Sequence, residues 1–151
     1  MSELVKHETI NLLQELLEAE RAGARLATET LKEATEEQQQ MLLNKIQKGE
    51  AESCRRIRDC IKYLGGVPSA GVGEFYNKAM AIEDIVDRLF FIDRGQRWVI
   101  KKLNSNLALI SEKFVRKELE NVLKIHVLNS DAFNLHMPFV GAVECNEAAI
   151  F

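Results

Sequence analysis

Leu13-Gln14-Glu15-Leu16-Leu17-Glu18-Ala19-Glu20-Arg21-Ala22-Gly23-Ala24-Arg25-Leu26-Ala27-Thr28-Glu29-Thr30-Leu31 places apolar residues every three or four positions. That period is helical, and it draws a stripe through Leu13, Leu16/Leu17, Glu20, Ala24, Ala27 and Leu31. Glu15 and Glu18 fall on another face with Asn11, Gln14, Arg21 and Arg25, where water solvates them. Glu20 has apolar neighbours three and four residues away on both sides. A carboxylate in a core stripe costs several kcal/mol unless something compensates it, so Glu20 must meet a partner, a metal or water.

Working outward, the same pattern recurs. The first helical run covers roughly 3–34, with Ser2 as N-cap. Thr35-Glu36-Glu37-Gln38 has capping-box spacing and opens a second helix, roughly 36–64, that stops at Gly65-Gly66. A third is expected over 74–108, and a fourth over 112–135, capped by Ser111 and ending near Asn134 and Pro138. No window alternates as a strand does. The expected fold class is all-α: four antiparallel helices over residues 1–136, then an apolar tail over 137–151 (Met137, Pro138, Phe139, Val140, Val143, Ile150, Phe151) that packs on the bundle or on a dimer mate. The Gly/Pro-rich linker 65–73 has nine residues, which reach ~30 Å when extended. That length allows a crossover between helices 2 and 3, the feature that separates ferritin-like bundles from simple up-down ones.

Composition fits a folded domain and narrows its partners. Of the 151 residues, 46% are hydrophobic and 28% charged. No apolar run approaches the ~20 residues of a membrane span, and residues 1–8 lack the basic-then-apolar profile of a signal peptide. A formal charge of −3 gives no basic bias toward nucleic acid. Cys54, Cys60 and Cys145 form no CxxC and are expected as reduced thiols of a cytoplasmic protein.

Each remaining stripe carries its own misfit. The second helix reads Leu43, Ile46, Glu50, Ser53/Cys54, Ile57, Ile61, Leu64. The third reads Ile82, Ile85, Leu89, Ile92, Gln96, Val99, Leu103, with Asp93 beside Gln96. The fourth reads Val115, Leu119, Val122, His126, Asn129, Phe133. Carboxylates and an imidazole from several helices meeting at one point is the arrangement of ferritin-like metal sites, where two helices give a Glu and two give Glu-x-x-His. This chain holds part of that set. Ser53 stands where a His would follow Glu50, Gln96 where a Glu is expected, and Leu123 where a Glu would precede His126.

The chain also resembles a widespread bacterial family of small, uncharacterised ferritin-like proteins. The resemblance rests on Leu16–Arg25, on Phe75-Tyr76-Asn77-Lys78-Ala79-Met80-Ala81-Ile82, on Arg94-Gly95-Gln96-Arg97-Trp98-Val99 and on the spacing of His126 and Asn129, and it covers roughly residues 4–135. It implies a ferritin-like bundle and a cytoplasmic protein, without a reaction. Members tend to carry an acidic residue directly after the fourth-helix His, where this chain has Val127.

The resulting expectation is a reduced or vestigial metal site, at most mononuclear. Glu20, Glu50 and His126 would hold one Fe, Mn or Zn ion, with Asp93 as a further candidate and Gln96, Asn129 and Ser53 as supporting groups. The alternatives are a metal-free interaction or regulatory module with the same polar groups as a buried network, and a small metal-dependent oxidoreductase whose substrate the sequence leaves open. A Cys54 thiolate is a minor candidate ligand, and Asp93 has an alternative partner in Arg97, four residues on. Phe91, Gly95 and Trp98 line the third helix away from its stripe, a shallow depression expected to take a partner helix or the tail in a homodimer.

Overall fold

A computed structural model describes residues 4–137. Among them there is no strand, and the helices are α1 (Lys6–Glu33), α2 (Glu37–Tyr63), α3 (Phe75–Met80), α4 (Ile85–Asn106) and α5 (Lys113–His136), with a 3-10 turn at Leu107–Leu109. None of these helices is long and apolar enough to cross a membrane. The expected Ser2 cap, Cys145 and tail residues 138–151 lie outside the described residues. Met137, which ends α5, packs against a core cluster.

The expected third helix is two helices. Residues 81–84 form a turn because Asp84 caps α4, its carboxylate accepting from the Asp87 N–H at 2.9 Å. Arg88, buried in the next turn, donates from Nε and Nη2 to the Ile82 carbonyl at 2.9 and 2.7 Å. Its Nη1 reaches Glu33 at 2.6 Å, which ties the turn to the end of α1. Two other cap assignments shift by one residue. Glu36 rather than Thr35 precedes α2, and Glu112 rather than Ser111 precedes α5, neither with a side-chain cap bond.

The long helices pack as pairs: α1 on α2, α2 on α5, α5 on α4, and α4 on α1. Arg88 meets Glu33 and Lys102 meets Glu15, so α4 runs against α1. Arg56 meets Glu118, and Gly49 lies under Asn129, so α5 runs against α2. The segment after α2 turns at Gly65 (φ 84°), where the Gly66 N–H closes on Ile61 O at 2.9 Å. It then follows α1. Val67 O and Ser69 N bond the Gln14 amide at 2.7 and 2.8 Å, Arg21 donates to Ser69 O and Gly71 O, and Arg25 sits 4.9 Å over the Tyr76 ring. The partners on α1 climb from Gln14 to Arg25, a rise of roughly 16 Å.

The core falls into two apolar clusters. One contains Leu12–Ala19 of α1, Cys54–Leu64 of α2, Val99 and Leu103 of α4 and Val115–Val122 of α5. The other contains Ala22–Ala34, Leu42–Ile46, Leu89–Ile92 and Phe133, with Phe75 and Ala79 of α3. In every long helix the residues between the two sets are polar and buried: Glu20; Glu50 and Ser53; Asp93 and Gln96; His126, Asn129 and Ser130.

The cap assignments are checked by urea unfolding. Asp84→Ala is expected to cost about 1 kcal/mol, the usual worth of an N-cap. Thr35→Ala, exposed and outside any cap bond, is expected to leave the midpoint unchanged.

Candidate metal centre

Three helices supply the centre, and the helical period explains why. Glu20, Glu50 and His126 each fall in step with the apolar residues flanking them, so burying the stripe buries the polar group. Glu20 and His126 have no exposed surface and Glu50 has 2%. One donor atom from each lies within 4.8 Å of the others. His126 Nε2 stands 2.9 Å from Glu20 Oε1 and 3.4 Å from Glu50 Oε1. The other ring nitrogen, Nδ1, is 2.8 Å from the Val122 carbonyl. A carbonyl only accepts, so Nδ1 carries the hydrogen and Nε2 is the atom presented to the carboxylates.

The amides expected as supports are in place. Gln96 donates from Nε2 to Glu50 Oε1, and Asn129 donates from Nδ2 to Gln96 Oε1 at 3.3 Å. Asn129 thereby fixes the Gln96 amide in the orientation that donates to Glu50. Ser53 is fully buried one turn after Glu50, its hydroxyl without a partner. Asp93 does not join the group: Ser130 Oγ donates to one of its oxygens at 3.0 Å and Arg97 Nε pairs with the other at 3.1 Å. Cys54 is also outside it, and burial, reinforced by Glu20 and Glu50, pushes its thiol up to about 12, so it is no thiolate.

Electrostatics separate the two carboxylates. Burial raises Glu20 well above the ordinary carboxyl range, and the Glu50 charge adds to this, overcoming the pull of His126. Burial pushes Glu50 the same way, but the close approach and charge of His126, with support from Glu20 and Gln96, bring it below its ordinary value. His126 rises well above its ordinary value against burial, because the Glu20 charge and both carboxylate contacts favour the imidazolium. Two protons shared among Glu20, Glu50 and His126 bring the net charge of the three groups to zero. A divalent cation replacing the two protons leaves the sum at zero.

The donor set fits a metal on an independent observation. Both Glu20 oxygens and His126 Nε2 are buried without a hydrogen-bond partner, although Nε2 stands 2.9 Å from Glu20 Oε1 as an ion-pair contact. Atoms of this kind are normally satisfied, and oxygen and nitrogen donors aimed at one point suit Fe, Mn or Zn.

Sequence reasoning missed Gly23 as part of the site. The first stripe runs through buried Gly23 rather than the half-buried Ala24. A methyl at Gly23 would stand 2.5 Å from Glu50 Oε2, so the glycine makes the space that lets Glu50 reach α1. The signal was a glycine inside a long helix, where it costs about 1 kcal/mol against alanine. Of the expected partner surface, Phe91 is buried and stacked on Phe75 at 5.0 Å, and Gly95 lies under the same Phe75 ring. The depression is thus filled from within the chain, and Trp98 is half-buried.

A family model described as a domain of unknown function, DUF6306, matches residues 7–134. The chain belongs to this family. Neither a curated protein nor a solved structure matches it. The match covers the whole helical region, including Glu20, Glu50 and His126.

Gly23→Ala is expected to weaken metal binding at least tenfold and to lower the stability of the metal-free protein, although alanine is the better helix former; isothermal titration and urea unfolding check both. The charge assignment gives a pH dependence. Glu20 holds its proton longer folded than unfolded, so its contribution to stability fades as pH rises from its ordinary 4.5 through its raised folded value. His126 contributes below its ordinary 6.5 and fades above it, whereas Glu50 contributes above 4.5 and loses its contribution in acid. The melting temperature of chelator-treated protein is expected to peak near about pH 5 and fall toward alkaline pH, with Glu20→Gln flattening the fall. A melting temperature rising from about pH 5 to 8 overturns the assignment.

Proposed function

We propose that this DUF6306 protein is a ferritin-like bundle of α1, α2, α4 and α5, with 65–74 as its crossover, that holds one divalent metal at Glu20, Glu50 and His126. The observation that carries the reading is the convergence of three buried donor groups from three helices, of which both Glu20 oxygens and His126 Nε2 have no hydrogen-bond partner. The bundle assignment is supported by α4 and α5 running against α1 and α2 respectively, and by the linker following α1 before α4 begins. A single ion is favoured over two because Gln96 and Leu123 take positions where bridging carboxylates would be needed. A metal held by two carboxylates and one imidazole keeps open positions and supplies Lewis acidity or redox chemistry. The chain's own part is to hold Nε2 of His126 forward through Val122, to orient Glu50 through Gln96 and Asn129, and to exclude bulk water. A cytoplasmic setting belongs to the same reading, supported by the buried thiols Cys54 and Cys60.

A second reading has its own observation. The triad neutralises itself when Glu20 keeps a proton, so the layer can serve as a metal-free register lock in an interaction module. Metal stoichiometry separates the two. Protein purified without a His-tag or chelator is expected to carry about one metal per chain by plasma mass spectrometry. Glu20→Ala and His126→Ala are each expected to lose it. No uptake after anaerobic incubation with Fe²⁺, Mn²⁺ and Zn²⁺ would leave the register lock, and two metals per chain would refute the single-ion site.

A further inference from the structure

A small cavity lies on the far side of Glu50 from His126. Glu50 turns Oε1 toward His126 and Gln96, and Oε2 toward Gly23, which lines the cavity. Gly95 and Phe75 form the opposite wall, and Gln96 contributes its amide. The cavity leaves about 10 Å³ for the centre of a water molecule, which is room for one. Its polar groups are complementary: Glu50 accepts, and Gln96 has one amide hydrogen left after donating to Glu50. The remaining lining, Ala19, Ile92 and Val99, is apolar.

The outer wall is the buried Phe75 ring. Phe75 opens α3, a helix of six residues, and the tip of its ring lies against Gly95, where a methyl would meet Cζ at 2.8 Å. Before α3, Gly73 has φ 64° and open space around it; after α3 comes the 81–84 turn. The ring is thus carried on a short element between two bends and is stacked on Phe91 of α4.

We propose that this cavity binds one water molecule between Glu50 Oε2 and the Gln96 amide, and that Phe75 sets the size limit, which excludes molecules as small as methanol. The site needs only Glu50, Gln96 and Phe75, so it exists with or without a metal. Where the metal reading above holds, this is the side of Glu50 from which a small molecule would approach the centre, and Phe75 bars molecules of methanol size and larger.

High-resolution crystal structures of the parent and of Phe75→Ala, each with and without a methanol soak, test the proposal. In the parent one ordered water is expected within hydrogen-bond distance of Glu50 and Gln96, and methanol is expected to be absent. In Phe75→Ala methanol is expected at that position, and Phe75→Leu serves if the alanine variant does not fold. A dry cavity in the parent, methanol in the parent, or a water bonded to neither group overturns it. Cobalt loading separates this outcome from the metal reading. With Co²⁺ bound, azide is expected to change the visible spectrum at least tenfold more readily in Phe75→Ala than in the parent. Equal responses overturn Phe75 as the size limit. Failure of Co²⁺ to bind any variant counts against the metal centre alone, and the crystallographic water then decides the cavity by itself.

Discussion

Two carboxylates and an imidazole share a layer that divides the apolar core in two, and most other features of the molecule follow from keeping that layer neutral. Each group alone would be costly to bury. Together they reach zero charge with two protons, and a divalent cation at the same helix positions would leave that sum unchanged. The layer also fixes register. Sliding any long helix by one turn would set Glu20, Glu50 or His126 against the leucine and isoleucine clusters on either side, so the polar groups select one arrangement of otherwise interchangeable apolar stripes.

Much of this layer was legible because its residues obey the helical period. In α2 and α5 every residue of the expected stripe is buried, from Leu43 to Leu64 and from Val115 to Phe133. Glu20, Glu50 and His126 therefore meet as expected, and Gln96 and Asn129 stand behind them as expected. Asp93 shows the limit of the method: period alone places it next to Gln96, and only the partners Ser130 and Arg97 remove it from the centre.

The misreadings have one cause, which is that local pattern carries no information about distant packing. The break at 81–84 was missed because the apolar positions Ile82, Ile85 and Leu89 stay in phase across it, and the Asp84 cap was lost among other acidic residues. Phe91 and Gly95 read as an outward face because nothing in α4 announces that Phe75, twenty residues earlier in the chain, folds over them. Sequence spacing allowed the 65–73 linker to run back along the bundle, but its actual course is set by Gln14 and Arg21 on α1, whose amide and guanidinium bind its carbonyls.

The glycines inside the helices connect these points. Gly23, Gly49 and Gly95 each sit within a long helix, where alanine would be better by about 1 kcal/mol. Each has a neighbour that leaves no room for a methyl. At Gly23 it is the Glu50 carboxylate, at Gly49 Asn129 and Ile125, both at 2.8 Å, and at Gly95 the Phe75 ring. Glu50 is a proposed ligand, Asn129 begins the amide chain that orients it, and Phe75 closes the cavity beside it. Helix stability has thus been given up at three places, all around one carboxylate. Gly23 makes room for the Glu50 carboxylate itself and Gly95 for the Phe75 ring packed beside it, so close packing around Glu50 is what replaces the lost helix propensity.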